Sequence, residues 1–292
     1  MRHVKHCGPT GRIQGKPDPR QRTAGPKAKR SRSQISVSRS LVTLNPVQFC
    51  GHTGALQVEP RTVHVWAFSL DAPAECRQQC FDALCATERT RAGRFVHARS
   101  RDDFVVAHGV LRLLLARYSG LPPRLLALTP TRNGKPHLDA LIPDGKAISF
   151  NLTHSHGRAL VAVSDGREVG IDLEKIEPEV RALAIARRYF CSAELAAIEN
   201  APVPLQPRTF YRYWVAKEAV LKGQGIGLAF PIDRFEIQFA PRGETAQIGT
   251  REPSRLASDW TIRMLPLEAD WLGALAVRGE DWSLRLEPAP AA

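Results

Sequence analysis

Val169-Gly170-Ile171-Asp172-Leu173-Glu174 is the stretch on which the reading of this chain turns. Val169, Ile171 and Leu173 alternate with Asp172 and Glu174, the period of a β-strand, where side chains two apart share a face. Both carboxylates therefore emerge together. Further along, Trp214-Val215-Ala216-Lys217-Glu218-Ala219-Val220-Leu221-Lys222 reads as a helix. Residues four apart on a helix are stacked neighbours, which puts Trp214, Glu218 and Lys222 on one stripe. If that stripe meets the strand, three carboxylates and one ammonium converge. Such a set suits a hard cation such as Mg²⁺ together with a phosphate group.

Working outward, alternation predicts strands over 62–68, 147–152, 159–164, 234–239, 259–265, 271–278 and 282–287, beside the strand at 169–174. Helical periodicity predicts helices over 75–92, 101–118, 178–190, 192–200 and 207–223. Arg132 to Pro136 reads as a turn around Gly134. Strands and helices do not alternate regularly, so the fold class is α+β rather than a doubly wound sheet. The layout divides into a basic tail over 1–60, one lobe over 61–165 and a second over 166–292 with the acidic motifs. A ligand cleft belongs at the junction of the lobes.

The net charge of +12 is concentrated in residues 1–40, which hold 11 Lys or Arg against the single acid Asp18. The rest of the chain is close to neutral, so the charge is no argument for nucleic-acid binding by the folded part. Residues 1–60 are rich in Gly, Pro, Ser, Arg and Lys, a composition that cannot bury enough surface to offset chain entropy. They are expected to be disordered. Methionine occurs only at positions 1 and 264, which raises the expectation that the native protein starts between 40 and 60. No apolar run reaches membrane-spanning length, and no apolar core follows the basic N-terminus as in a secretory signal. A cytoplasmic protein without membrane association is expected, with its thiols reduced. Cys76, Cys80 and Cys85 lack metal-ligand spacing and read as small buried thiols on a helix.

Taken together, Gly170 to Lys175 and Trp214 to Lys222 resemble the paired signatures of the 4′-phosphopantetheinyl transferases. Gly134-Lys135-Pro136, Phe150-Asn151-Leu152-Thr153-His154-Ser155 and Gly225-Ile226-Gly227-Leu228, in the same order, are similar to the larger, surfactin-type branch. The resemblance covers roughly residues 62–287. It implies two similar α+β lobes related by a pseudo-two-fold, with the active site in the cleft between them, in a monomer. It implies transfer of the phosphopantetheine arm of coenzyme A to a serine of an acyl or peptidyl carrier protein, releasing adenosine 3′,5′-bisphosphate. Mg²⁺ is the implied cofactor, with Asp172, Glu174 and Glu218 as its ligands. The implied catalytic groups are Glu218, Lys222 and His154. The coenzyme A contacts implied are Arg91, Arg94, Lys135, Thr153, His154 and Lys222. Where relatives often carry an arginine before the long helix, this chain has Asp103, with Arg101 close by to compensate.

The chemistry is consistent with those residue types. Attack on a pyrophosphate requires charge on its nonbridging oxygens to be neutralised, which a bound cation does well. The serine must lose a proton, and Glu218 can serve as base, as metal ligand or as both. Singly, each feature has a plainer meaning. A Glu-to-Lys pair four apart stabilises many helices, two acids on a strand form a solvated face, Trp214 suits a core, and His97, His108 and His156 suit ordinary loop or helix positions. A metal-dependent nuclease is disfavoured because Lys175 directly follows Glu174 and points to the opposite face. A non-catalytic relative that binds carrier proteins or coenzyme A is the alternative.

Overall fold

The computed structural model describes residues 54–132, 134–139, 147–227, 230–250 and 259–288. The expected tail up to residue 53, and Asn133 and Leu228 of the motifs, lie outside the described residues. The chain forms β1 (Thr62–Ser69), α1 (Ala74–Ala83), α2 (Ala86–Ala92), α3 (Ala98–Ser119), β2 (Leu128–Pro130) and β3 (Pro136–Leu138). Then follow β4 (Ser149–Ser155), β5 (Arg158–Ser164), β6 (Val169–Lys175), α4 (Ala182–Tyr189), α5 (Ser192–Glu199) and α6 (Gln206–Gln224). The last strands are β7 (Phe235–Phe239), β8 (Thr245–Thr250), β9 (Trp260–Met264), β10 (Trp271–Arg278) and β11 (Ser283–Pro288).

Two mostly antiparallel sheets result, in the orders β11-β1-β5-β4 and β6-β10-β9-β8-β7, beside the small β2-β3 hairpin. Strand alternation assigns each face a partner. On β1 and β5, Trp66, Phe68, Ala159, Val161 and Val163 turn outward and pack with α1 and α3. The intervening Val63, Val65, Ala67, Leu160 and Ala162 face Val169, Ile171, Leu173, Leu275 and Val277 of the second sheet. The far side of that sheet, with Phe235, Ile262, Ala274 and Ala276, packs against Val215, Ala219 and Val220 of α6. The layering is helices, sheet, sheet, helices, a mixed α and β architecture. Among the described residues, no helix is long and apolar enough to cross a membrane.

Three sequence expectations are corrected. Residues 54–60 do not belong to a disordered tail: Val58 is buried and Leu56 packs beside it in the first core. Leu56 N also donates to Arg117 O at 3.0 Å. The helix expected over 75–92 is two helices, because Leu84 is extended and Cys85 caps a new one, with Glu88 accepting from Cys85 N. The final strand does not stay with the second half of the chain; β11 pairs parallel with β1, Thr62 opposite Ser283. The cysteines behave as read: Cys76 and Cys80 are buried on α1 and Cys85 is half-buried.

Glu88 also binds the buried Arg112 of α3, whose Nη1 donates to Pro123 O at 2.8 Å. Burial alone would raise the Glu88 carboxyl, but bonds from His108 and Arg112 carry it down to about 2. A carboxylate lowered on folding stabilises above its unfolded value of 4.5, and that contribution is lost as pH falls toward about 2. Glu88→Gln is expected to cost about 2 kcal/mol at neutral pH after discounting for screening. The deficit should shrink in acid. Denaturant titrations at two pH values measure it, and a pH-independent deficit would contradict the pairing.

Candidate active site

The sequence motifs meet where the edge strand β4 of one sheet runs beside the edge strand β6 of the other. Side chains, rather than a backbone ladder, join this seam. Asn151 Oδ1 accepts from Ile171 N at 2.9 Å, Thr153 Oγ1 donates to Asp172 Oδ1 at 3.2 Å, and Ser155 Oγ donates to Glu174 Oε2 at 2.8 Å. The alternation that buries Ile171 and Leu173 between the sheets turns Asp172 and Glu174 toward α6.

Gly170 sets how closely α6 approaches. A Cβ on Gly170 would lie 2.0 Å from Ala219 O and 2.2 Å from Gly223 N, so strand and helix cross backbone on backbone. Only glycine fits that crossing. It brings Lys222 Nζ to 2.5 Å from Asp172 Oδ1 and 3.1 Å from Thr153 Oγ1. Asp172 is 3% exposed and Glu218 8%, and Asp172 Oδ2 and Glu218 Oε1 are buried oxygens without a hydrogen-bond partner among the described residues. A buried polar atom left unpaired is costly and marks a place where a ligand binds or strain is stored. Burial first, and then Asp172 and Glu174, push the Glu218 carboxyl up to about 7 against the opposing pull of Lys222. Glu174 is raised too, by burial first and by Asp172, with Ser155 opposing.

Three carboxylates were expected as a ready metal cage. Among the described residues, no three His, Cys, Asp or Glu side chains stand together as one. The reason is visible: Lys222 covers Asp172 Oδ1 and Ser155 covers Glu174 Oε2. What remains, among the described residues, is two unpaired hard oxygens, Asp172 Oδ2 and Glu218 Oε1, on carboxyl groups close enough for the Asp172 charge to raise Glu218. That set fits Mg²⁺, which binds one or two carboxylates and takes its other ligands from phosphate and water.

The remaining candidates divide. His154, on β4, is exposed, and its imidazole is pushed below the ordinary range by partial burial and then by His108 and Lys222, with Asp103 opposing. Arg91 lies with its guanidinium carbon 5.0 Å from the Phe104 ring centroid, and Phe104 packs at a tilt against His108 with centroids 4.1 Å apart, so it borders the same region. Arg94 is exposed just beyond α2. Lys135 does not join the cluster. Its Nζ donates to Gly223 O at 2.6 Å and Val169 O at 2.9 Å, bracing the C-terminal end of α6, where carbonyls attract a cation. Burial lowers it to about 8. A cavity of ≈ 260 Å³ opens beside it, lined by Thr131, His137, Phe150 and Gln224. Near the position where relatives carry an arginine, Arg101 pairs with Asp102 at 3.1 Å, while Arg99 pairs with Asp103 at 3.0 Å.

Trp214 stacks on Phe210 with centroids 5.8 Å apart and packs against the second core, the plainer of its two readings. Sequence reasoning gave no part to Lys217, which is wholly buried. Its ammonium donates to Ile232 O at 2.7 Å and Phe235 O at 2.6 Å and meets Glu194 Oε1 at 2.9 Å. The signal was available: Lys217 falls on the helix face defined by Phe210, Val220 and Leu221.

Residues 168–276 match the model of the 4′-phosphopantetheinyl transferase superfamily. The 4′-phosphopantetheinyl transferase HetI of Nostoc is 34% identical over 223 residues, 75% of this chain and 89% of the relative. The 4′-phosphopantetheinyl transferase Sfp of Bacillus subtilis is 27% identical over 184 residues, 62% of this chain and 79% of its own. The L-aminoadipate-semialdehyde dehydrogenase-phosphopantetheinyl transferase of mouse is 29% identical over 239 residues, 75% of each chain. With its paired strand and helix motifs assembled into one buried acid–lysine cluster, the chain belongs to the 4′-phosphopantetheinyl transferase superfamily.

Proposed function

We propose that this protein is a 4′-phosphopantetheinyl transferase, moving the phosphopantetheine arm of coenzyme A onto a serine of an acyl or peptidyl carrier protein and releasing adenosine 3′,5′-bisphosphate. The observation that carries the reading is the pair of buried, unpartnered oxygens, Asp172 Oδ2 and Glu218 Oε1, facing the Lys222 ammonium. Asp172, Glu218 and Glu174 are the residues that would hold Mg²⁺. Bound there, the cation supplies charge neutralisation on the pyrophosphate oxygens.

The protein's own groups account for the rest. Glu218, poised at about 7, takes the proton of the attacking serine. Lys222, held by Asp172 and Thr153, presents its ammonium to the departing phosphate, and Thr153 and His154 line its approach. Arg91 and Arg94 meet coenzyme A phosphate at the rim. Lys135 contributes by holding the wall of the neighbouring cavity, where the nucleoside end fits. The same reading takes residues 61–165 and 166–292 as lobes related by a pseudo-two-fold. It is supported by one long helix in each half, α3 and α6, each packed on a sheet built mainly from its own half, with β11 crossing back to pair with β1. It also takes the protein as a cytoplasmic monomer, since one chain builds the whole site.

Asp172→Ala is expected to abolish release of adenosine 3′,5′-bisphosphate from coenzyme A in the presence of an apo carrier protein, followed by chromatography. Unchanged release at limiting Mg²⁺ would remove Asp172 from the metal site.

A further inference from the structure

The turn joining β4 to β5 carries a side chain that the chemistry above does not use. His156 and Gly157 have φ of 44° and 79°, the two-residue hairpin turn in which both central residues are left-handed. Asn, Asp and Gly are the favoured residues there, and histidine is among the side chains that enter the left-handed region more readily than most. The ring is held on three sides. Its Nδ1 is 2.9 Å from Ser155 Oγ, its Nε2 is 3.1 Å from Glu177 Oε1, and it lies edge-on to Trp271 of β10, centroids 6.4 Å apart. The turn of the first sheet is thus fastened to the second sheet beside the end of β6.

Hydrogen-bond direction gives this clamp a consequence. A serine hydroxyl has one proton. Ser155 gives its proton to Glu174 Oε2, so toward His156 its oxygen accepts and Nδ1 donates; Glu177 Oε1 can only accept, so the clamp has both ring nitrogens donating. His156 therefore decides where the Ser155 proton points, and that proton ties down one oxygen of Glu174 while leaving the other free. We propose that His156 is a positioning residue that acts through Ser155 to fix the Glu174 carboxylate for the cation. The inference rests on the reading of Asp172, Glu174 and Glu218 as the metal-holding set. Partners that orient a ligating carboxylate commonly change metal affinity by about tenfold or more when removed; at this half-exposed position about three- to tenfold is expected.

The test is Mn²⁺ binding followed by electron paramagnetic resonance, with coenzyme A present and no carrier protein. Wild type, His156→Gly, Ser155→Ala, the double variant and Asp172→Asn are compared. Glycine suits the left-handed φ, so His156→Gly keeps the turn and circular dichroism verifies the fold; His156→Asn is the second variant that retains it. Each single change should weaken Mn²⁺ binding about three- to tenfold, and the double variant should be no weaker than either alone, because both cut one chain. Wild-type affinity in both turn variants, or additive losses in the double variant, would overturn the role of His156. Failure of wild type to bind Mn²⁺, or undiminished binding by Asp172→Asn, would instead overturn the metal reading on which the proposal depends.

Discussion

Replacing Glu218 by Gln is expected to slow transfer about 10²–10⁴-fold while making the metal-free protein more stable above neutral pH. Both effects have one origin. Glu218 is held in a buried site with Asp172 and Glu174, which raises its carboxyl from 4.5 to about 7. A group raised on folding adds stability below its unfolded value and loses that contribution as pH climbs through the folded one. At pH 5 the parent and the variant should therefore melt together. At pH 8, where the parent carries an ionised Glu218 among like charges, the variant should gain about 1–2 kcal/mol, or a few degrees in Tm. Calorimetry in chelator at the two pH values reads the difference. A variant destabilised at pH 8 would mean that Glu218 is a satisfied structural carboxylate, with no cost waiting to be relieved by a ligand.

Gly170→Ala is expected to be as damaging, through packing alone. The added methyl would meet Ala219 O at 2.0 Å, Gly223 N at 2.2 Å and Gly223 Cα at 2.6 Å. These are backbone atoms of α6, so no rotamer change relieves the clash, and the helix must lift off β6. A cost of about 3 kcal/mol or more follows. Activity should fall with it, since Glu218 and Lys222 ride on the displaced helix. Gly93→Ala is the control: φ is −66° there and the nearest atoms to a Cβ are 3.6 and 3.7 Å away. That change should be neutral. A Gly170→Ala protein that melts and turns over like the parent would refute the close crossing as the device that assembles the site.

The strand and helix of the site were legible because each carries its own period. Val169 to Glu174 alternates, and Phe210, Val220 and Leu221 recur at helical spacing, so β6 and α6 fall within a residue or so of expectation. Their meeting was a conditional inference that Gly170 makes possible, and a glycine with ordinary φ gives no turn signal to reveal it. β8, Thr245–Thr250, was not anticipated, since only Ala246 and Ile248 in it are apolar and buried. The pairing of β11 with β1 joins residues from opposite ends of the described chain, and local pattern does not encode a partner that remote. The cations were harder still. Lys135 and Lys217 look like surface or phosphate-binding lysines in sequence, yet both brace backbone carbonyls, because the fold folds carbonyl ends around them. Conversely, Asp172 and Glu218 could be named from the joint occurrence of the two motifs and the resemblance they carry, but their lack of partners among the described residues is a property of the closed seam.

The most direct test of the central claim is intact mass spectrometry of an apo carrier protein incubated with this protein, coenzyme A and Mg²⁺, beside Glu218→Gln. The account predicts a gain of one phosphopantetheine arm on the carrier serine, dependent on Mg²⁺ and lost in the variant. No gain on fatty-acid, polyketide or peptide carriers, with coenzyme A still bound by the protein, would contradict it and leave a binding protein in place of an enzyme.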